Sequence, residues 1–483
     1  MVRVLIAVFD GLQPGQVTLQ TAPELYALSQ RGVSFSRHHA VFPTVTRVNT
    51  ASLVTGVTPG THGLIGNSFY APEVDSVRHI DALMPELSKL SDVSSGGVLH
   101  VPALGELLAP HGMSFVSVVG GSSGCAFVQF PRPDRSKGAL MHAEFSVPEG
   151  LHQEVQARFG PWPHKSSPAI KTCERVADIF VDFVRPDLKP DVALLWFPEP
   201  DTSQHAWGVS SGQALQGLAA ADAQLGHVLR SLKASGDDPV VLAISDHGYS
   251  TISSTINVEH ELSRAGFMTG PMGGVVFAPN GGAGLFYNIG GDQGLNGRLA
   301  DWLAGQEWVG AILANGRGDL PDGILSSRAA GISGRRTPDL AVTFRWDTTS
   351  GRNGRRGNAF ATNGSAGLGT HGSASPQELR ATLIAAGPGI RYGVSSDAPT
   401  GQQDIVPTIL SLLGLPLPTH LEGRKITEMF ATGPSPLEVD WHMETGRSTI
   451  RRVPVVSSQR IDVALCGWAR YVEAIGRTED FPL

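Results

Sequence analysis

The chain has 483 residues and a net charge of −7, with 41% hydrophobic and only 17% charged residues. That composition argues against a disordered chain and supplies a sizeable core, and the acidic balance weighs against a nucleic-acid polymer or an anionic membrane surface as partner. The longest apolar runs are about six residues, far short of the ~18 of a membrane-spanning helix, so no membrane partner is expected.

The opening MVRVLIAVFDG lacks the longer apolar region and small-residue cleavage site of a signal peptide. It reads instead as a first core strand, Val4–Phe9, ending at Asp10-Gly11. The three cysteines, Cys125, Cys173 and Cys466, are far apart and form no CxxC pair. They suit a reducing compartment, and a cytoplasmic location is expected. Thr21-Ala22-Pro23-Glu24 forms a capping box for a helix that Arg31-Gly32 stops. Residues 34–38 are strand-like, 102–112 read as a helix with Leu104, Leu107 and Leu108 inward, and 114–119 as the next strand. Residues 169–184 read as one long amphipathic helix. Two short apolar strands follow, Val192–Phe197 and 240–245, separated by a helix over 213–233 with Leu215, Leu218, Leu225 and Leu229 on one side. This alternation predicts βαβ units and an α/β fold with a mostly parallel central sheet flanked by helices. Ligands then gather at the carboxyl ends of the strands.

The middle of the chain is less regular. Residues 271–335 read as an inserted subdomain, with strands around Val275 and Leu285 and a helix over 295–303. Leu340–Phe344 is expected to return to the core, which then spans 1–270 and 336–435. Residues 351–372 carry seven glycines in 22 positions, a mobile loop by composition. Residues 379–386 read as a strand, and 404–413 as a helix capped by Asp404 and closed at Gly414. Residues 436–483 form a C-terminal extension with a weak strand pattern.

Acids and histidines fall at strand ends or in loops at four places. Asp10 follows the first strand, Asp201 and His205 follow Val192–Phe197, Asp246 and His247 follow 240–245, and His371 sits in the glycine-rich stretch. Asp201 and His205 are spaced i, i+4, so one helical turn stacks them on one face. Asp246 and His247 serve one site only if the chain turns there, which Gly248 permits. Three carboxylates and three imidazoles suit zinc first, manganese or iron less well. Two such ions clamp the attacking and leaving oxygens of an in-line phosphoryl displacement. Thr46 offers a hydroxyl nucleophile that metal coordination would activate, and Asn67 a donor for a non-bridging phosphate oxygen.

These residues sit in motifs that resemble the alkaline phosphatase superfamily, specifically its type I phosphodiesterase/nucleotide pyrophosphatase branch, with phosphonoacetate hydrolases as relatives. The motifs read FDG at 9–11, FPTVTRVN at 42–49, SLVTGVTPGTHGLIGN at 52–67, EPDTSQHAWG at 199–208, SDHGYS at 245–250 and GTHGS at 369–373. IAAGPGI, DIVPTILSLLGLPLP and EGR follow, the last ending at 424. The resemblance implies an alkaline phosphatase-like sheet and two metals, one on Asp201, His205 and His371, the other on Asp10, Asp246, His247 and the Thr46 oxygen. Thr46 would attack phosphorus, and water would then hydrolyse the phosphothreonine. The implied activity is that of a two-metal phosphodiesterase acting on a small-molecule phosphate ester, with homo-oligomerisation left open.

Departures shape the alternatives. Nucleotide pyrophosphatases carry an aromatic residue after the nucleophile, where this chain has Arg47. An arginine there neutralises a further substrate charge or pairs with a substrate carboxylate. The GGSSGCAF turn after Val119 lacks the lysines that the resemblance places there in phosphonoacetate hydrolases. The alternatives are a phosphomonoesterase, a phosphonoacetate-type C–P hydrolase and a non-catalytic metal-binding protein. Sulfatase chemistry is set aside, because Thr46 cannot become formylglycine. Ordinary roles compete at single positions: a salt bridge to a nearby acid for Arg47, a turn role for His62, core or pocket wall for Trp207 and Phe69, and a strand end for Ser122-Ser123-Gly124.

Overall fold

The computed structural model describes residues 3–267, 274–292, 294–350, 356–452 and 455–481. The expected boundary at 271 lies outside them.

Among the described residues, ten strands build the main sheet. Its centre is parallel: Val240–Ile244, Val4–Phe9, Val192–Phe197, Phe115–Val119 and Gly138–His142 lie side by side. Every residue of Val4–Phe9 is buried, because both faces of the sheet are covered, which is why the run shows no polar alternation. Leu5, Ala7 and Phe9 enter the layer formed with helices Ile170–Ile179 and Gly212–Ala234. Val4, Ile6 and Val8 face helices Thr46–Thr55 and Ile405–Leu412. Of the predicted leucine stripe, Leu218 and Leu225 are buried, while Leu215 and Leu229 are half-buried. The expected strand near 379–386 is present as Arg380–Ala386 but runs antiparallel to both its neighbours, Val240–Ile244 and Val33–His39. The sheet is therefore mixed at this edge.

Several local expectations are corrected by tertiary contacts. Helix Pro23–Gln30 has no capping box of its own; Asp222 of the long helix accepts from Glu24 N–H at 2.9 Å and Leu25 N–H at 2.8 Å. The 169–184 segment splits into α-helix Ile170–Ile179 and a π-helical stretch Phe180–Leu188 containing Pro186. Asp404 does not cap its helix with its carboxylate. It accepts from Gly401 N–H, Arg424 N–H and the Tyr471 hydroxyl instead. Helix 102–112 shortens to Leu104–Leu108 with a 3-10 turn after it.

The inserted unit is a five-stranded sheet in the order Val275–Asn280, Ala283–Asn288, Leu340–Phe344, Val309–Ala314, Leu325–Ser326, covered by helix Leu295–Ala304. Leu340–Phe344 is its middle strand rather than a return to the core, paired antiparallel to Ala283–Asn288 and Val309–Ala314. Residues 351–355 of the glycine-rich stretch lie outside the described residues. The rest is not an open loop: Arg356–Ala361 and Gly369–Thr370 join Trp346–Ser350 and Ser250–Thr255 in a four-stranded sheet. All three cysteines are buried and unpaired. Among the described residues, no helix is long and apolar enough to cross a membrane.

The C-terminal extension is an antiparallel meander, His442–Arg452, Val455–Cys466 and Ala469–Arg477. Glu473 ties it to the main sheet, meeting Arg37 at 2.9 Å, Arg380 at 2.6 Å and His39 at 3.0 Å. Burial raises the Glu473 pKa, but His39, Arg380 and Arg37 outweigh it and hold the carboxyl well below the usual range. A depressed carboxylate stabilises the native state above its unfolded pKa of about 4.3, and that contribution fades as the pH falls below it. Glu473→Gln should therefore cost about 2–4 kcal/mol at pH 7 by leaving the half-buried Arg37 and Arg380 guanidiniums without their carboxylate. Denaturant unfolding at pH 7 and pH 4 should show the gap to wild type narrowing with acid. A gap unchanged between the two pH values would remove this ion cluster as the cause.

Candidate active site

The parallel strands deliver their acids to one place because Val4–Phe9 and Val240–Ile244 are neighbours ending together. Gly11 follows Asp10 at φ +69°, and an added Cβ would sit 2.7 Å from the Tyr249 ring. Its N–H donates to Asp246 Oδ1 at 3.1 Å. The chain bends at Asp246, and Gly248 admits a close approach, since a Cβ there would lie 2.0 Å from the Gln377 carbonyl oxygen. Asp246 and His247 thus serve one site. His247 Nε2 lies 3.3 Å from Asp246 Oδ2 and 3.6 Å from Asp10 Oδ1.

Asp201 and His205 share helix Asp201–Trp207. Asp201 Oδ1 is 3.4 Å from His205 Nε2 and 3.5 Å from His371 Nε2. His371 follows Gly369–Thr370, and its ring stacks on His247 with centroids 3.8 Å apart. Thr46 is the first residue of helix Thr46–Thr55, and its Oγ1 lies 3.3 Å from His247 Nε2. All seven predicted ligand residues therefore converge.

The hydrogen bonds around them aim lone pairs inward. Nδ1 of His205, His247 and His371 faces the carbonyls of Gly369 at 3.2 Å, Gly248 at 3.0 Å and Thr44 at 2.7 Å. A carbonyl only accepts, so Nδ1 carries a proton in each ring and Nε2 is the nitrogen turned toward the cluster, the one that a metal-ligating imidazole offers. The Trp196 indole donates to Asp10 Oδ2 at 2.9 Å, and the Tyr249 hydroxyl to Asp201 Oδ1 at 2.6 Å. Asp10 Oδ1 and Asp246 Oδ2 are buried without a hydrogen-bond partner. Burial, then Asp246 and Asp201, push the Asp10 carboxyl well up; burial raises Asp246 too. Burial, then His247 and His205, hold the His371 imidazole well below its usual value. A His371 imidazole held neutral beside crowded, orphaned carboxylate oxygens fits divalent cations, which satisfy both. Two overlapping donor sets, Asp201-His205-His371 and Asp10-Asp201-His247, have ligand atoms within 4.8 Å of one another. Asp201 stands in both, where the sequence placed it in one.

Arg47 and Asn67 complete the wall. Asn67 Oδ1 accepts from Arg47 N–H at 3.1 Å, which leaves Nδ2 as a donor at the cleft. The Arg47 guanidinium donates to Ser122 Oγ and to the Asn67 carbonyl, each at 3.3 Å. Burial lowers its pKa. Among the described residues it makes no ion pair with an acid, so the salt-bridge role considered for it is not seen. Ser122 faces the site rather than merely ending a strand. His62 is structural: burial lowers its pKa to about 3, and it lies 3.1 Å from Ser52 Oγ. Phe69 is fully buried core, whereas Trp207 is 49% exposed and bonded to Ser167, neither core nor pocket wall.

Two chambers share Arg47, Asn67, His205 and His371, one of about 340 Å³ and one of about 330 Å³. The first also holds Asp10, Thr46 and Ser122, and receives Lys165 from the loop before helix Ile170–Ile179. The second is polar, walled by Ser68, Asp81, Asn280 and Thr362. Larger cavities of about 510 and 690 Å³ lie elsewhere, without the clustered ligand residues. Sequence reading missed Tyr249, Trp196, Lys165 and Asn280. Only Tyr249, adjacent to SDHG, carried a local signal.

The fold is an α/β one that gathers carboxylates and imidazoles around a helix-borne threonine at the carboxyl edge of its parallel strands. The family model of type I phosphodiesterase/nucleotide pyrophosphatase matches residues 4–373, and the chain belongs to that family. It is 26% identical over 255 residues to bis(5′-adenosyl)-triphosphatase enpp4 of Xenopus laevis, covering 52% of this chain and 48% of that protein. It is 24% identical over 248 residues to venom phosphodiesterase of Macrovipera lebetinus, covering 50% of this chain and 25% of that protein. The chain thus spans about half or less of the curated relatives it matches. Murine ectonucleotide pyrophosphatase/phosphodiesterase 5, solved as an inactive variant in complex with AMP, shares the fold at a TM-score of 0.64 and 17% identity, over 89% of this chain and 100% of that one.

Proposed function

We propose that this chain hydrolyses phosphate diesters with two metal ions, through attack by Thr46. The observation that carries the reading is the Thr46 hydroxyl, 3.3 Å from His247 Nε2 inside a ring of six further ligand residues. Asp201, His205 and His371 would hold one cation and Asp10, Asp246 and His247 with the Thr46 oxygen the other, zinc before manganese or iron; bound there, they would lower the hydroxyl pKa and offset phosphoryl charge. Thr46 Oγ passes its proton to solvent and forms a bond to phosphorus as the bond to the leaving oxygen breaks, and the leaving group takes a proton from water and departs as an alcohol. Water then cleaves the phosphothreonine, releasing a phosphomonoester and restoring the hydroxyl. Trp196 and Tyr249 orient Asp10 and Asp201, and Asn67 Nδ2 donates to a non-bridging oxygen, whose charge grows in the transition state. Two chambers that share Arg47, Asn67, His205 and His371, one of them lined by Thr46, support a phosphorus bearing two substituents.

A second reading, cleavage of a phosphonate with a distal carboxylate, is favoured by one observation. Arg47 and Lys165 line the same chamber, so the cationic groups missing from the GGSSGCAF turn reach the site from elsewhere. Measuring kcat/KM on bis-p-nitrophenyl phosphate, p-nitrophenyl phosphate, phosphonoacetate and a dinucleoside triphosphate separates these readings. Diesters and the dinucleoside triphosphate are expected to lead; preference for p-nitrophenyl phosphate or phosphonoacetate overturns the diesterase assignment. In the same panel Arg47→Ala should cost about 1–3 kcal/mol more on substrates with an anionic leaving group than on neutral diesters. Equal losses would place Arg47 on the transferred phosphoryl group.

A further inference from the structure

The inserted sheet reaches the site through the tip of its first hairpin. Val275–Asn280 and Ala283–Asn288 pair with Asn280 opposite Ala283, leaving Gly281 and Gly282 as the turn. That tip is wedged against the strap carrying His371. Gly282 N–H donates to the His371 carbonyl at 3.0 Å. An added Cβ at Gly281 would lie 2.0 Å from the same oxygen, and one at Gly372 would lie 1.9 Å from the Asn280 carbonyl.

On its other side the tip holds Asn67. The Asn280 side chain belongs to a residue only 2% exposed. Its Oδ1 accepts from Asn67 N–H at 2.6 Å and Ser68 N–H at 3.3 Å. Its Nδ2 donates to the Ser68 carbonyl at 3.0 Å and to Ala278 at 3.3 Å. These four bonds use both donors and both acceptor positions of the amide. Gly66 admits the approach, since a Cβ there would stand 2.9 Å from Asn280 Oδ1. Asn67 is held at its backbone N–H by Asn280, at its side-chain oxygen by Arg47 N–H, and at its carbonyl by Ala82 N–H at 2.7 Å and the Arg47 guanidinium.

We propose that Asn280 is a positioning residue: it sets Asn67 so that Nδ2 meets the phosphoryl oxygen, and the glycine turn beside it holds that donor at a set distance from His371. The proposal rests on the reading of Asn67 as a phosphoryl donor. A donor must sit within hydrogen-bond range of an oxygen whose charge develops only in the transition state. A displacement of about 1 Å in such a group costs on the order of 10²-fold in rate. Loosening Asn67 should therefore lower kcat more than it raises KM, whereas a merely structural hairpin would change stability alone.

The test is a double-mutant cycle on bis-p-nitrophenyl phosphate with wild type, Asn280→Ala, Asn67→Ala and the double variant, all carrying their metals. Asn280→Ala is expected to lower kcat about 10- to 100-fold with KM within about threefold and metal content unchanged. In the Asn67→Ala background the same change should cost less than about threefold in kcat, because the group it positions is gone. An undiminished loss in that background, or wild-type kcat in folded Asn280→Ala, overturns the proposal. Wild-type kcat in Asn67→Ala instead overturns the donor reading of Asn67, and Asn280 loses its role with it. Should Asn280→Ala fail to yield folded protein by thermal melting, Asn280→Ser goes through the same cycle with the same deciding outcomes.

Discussion

Thr46→Ala is expected to lower kcat on a diester by on the order of 10³-fold or more while leaving fold and metal content intact. The size follows from what is lost. Without the hydroxyl no phosphothreonine forms, and only positioning and electrostatic stabilisation remain for a water to exploit. The selectivity follows from the local structure. Thr46 Oγ1 contacts His247, but the imidazole is held independently by the Gly248 carbonyl. Alanine suits the first turn of a helix, and the side chain removed is half-buried. Trapping labelled phosphate on Thr46 in wild type by mass spectrometry, and its absence in the variant, would complete the result. Near-normal turnover by the alanine variant would rule out the covalent route.

The site was legible in the sequence because each motif directly follows a regular element. A continuous apolar run such as VLIAVF announces a strand buried on both faces, and the residue after it stands at the sheet's carboxyl edge. Asp10, Asp246 and His247 were located in this way, and Asp201 with His205 by helical spacing. What could not be read depends on partners distant in sequence. The Trp196 indole is only another apolar residue in its strand until Phe115–Val119, Val4–Phe9 and Val192–Phe197 are paired and Asp10 comes within reach. Lys165 and Asn280 lie in segments whose sequence says nothing of the cleft they join. Strand direction was equally hidden: Arg380–Ala386 has the apolar pattern of the parallel central strands, yet it runs antiparallel to both its neighbours. In the 351–372 stretch glycine masked strands that are held by packing on Trp346 and Ser250–Thr255 rather than by propensity. Glu473 is a further case: an isolated acid in a weak strand pattern becomes the joint between the extension and the main sheet.

His371→Ala should leave about one metal per chain against an expected two in wild type, and should remove most activity. His371 belongs to the donor set with Asp201 and His205 and not to the set with Asp10 and His247, so the loss should be selective; metal analysis of both proteins reads it directly. Complete removal by a chelator should also lower the melting temperature by several degrees. Asp10 and Asp246 each bury one oxygen without a hydrogen-bond partner, and a cation present at about 100 times its Kd stabilises the folded state by about 2.7 kcal/mol. Thr46→Ala should keep most of the chelator-induced drop, since only the Thr46 oxygen is lost from its ligand set, while His371→Ala should show a smaller one. The two variants would then both be inactive for different reasons, one lacking the attacking oxygen and the other a cation. Full metal content and full activity in His371→Ala would remove the two-metal assignment, and a melting temperature indifferent to the chelator in wild type would show that the orphaned carboxylates are stable without a cation.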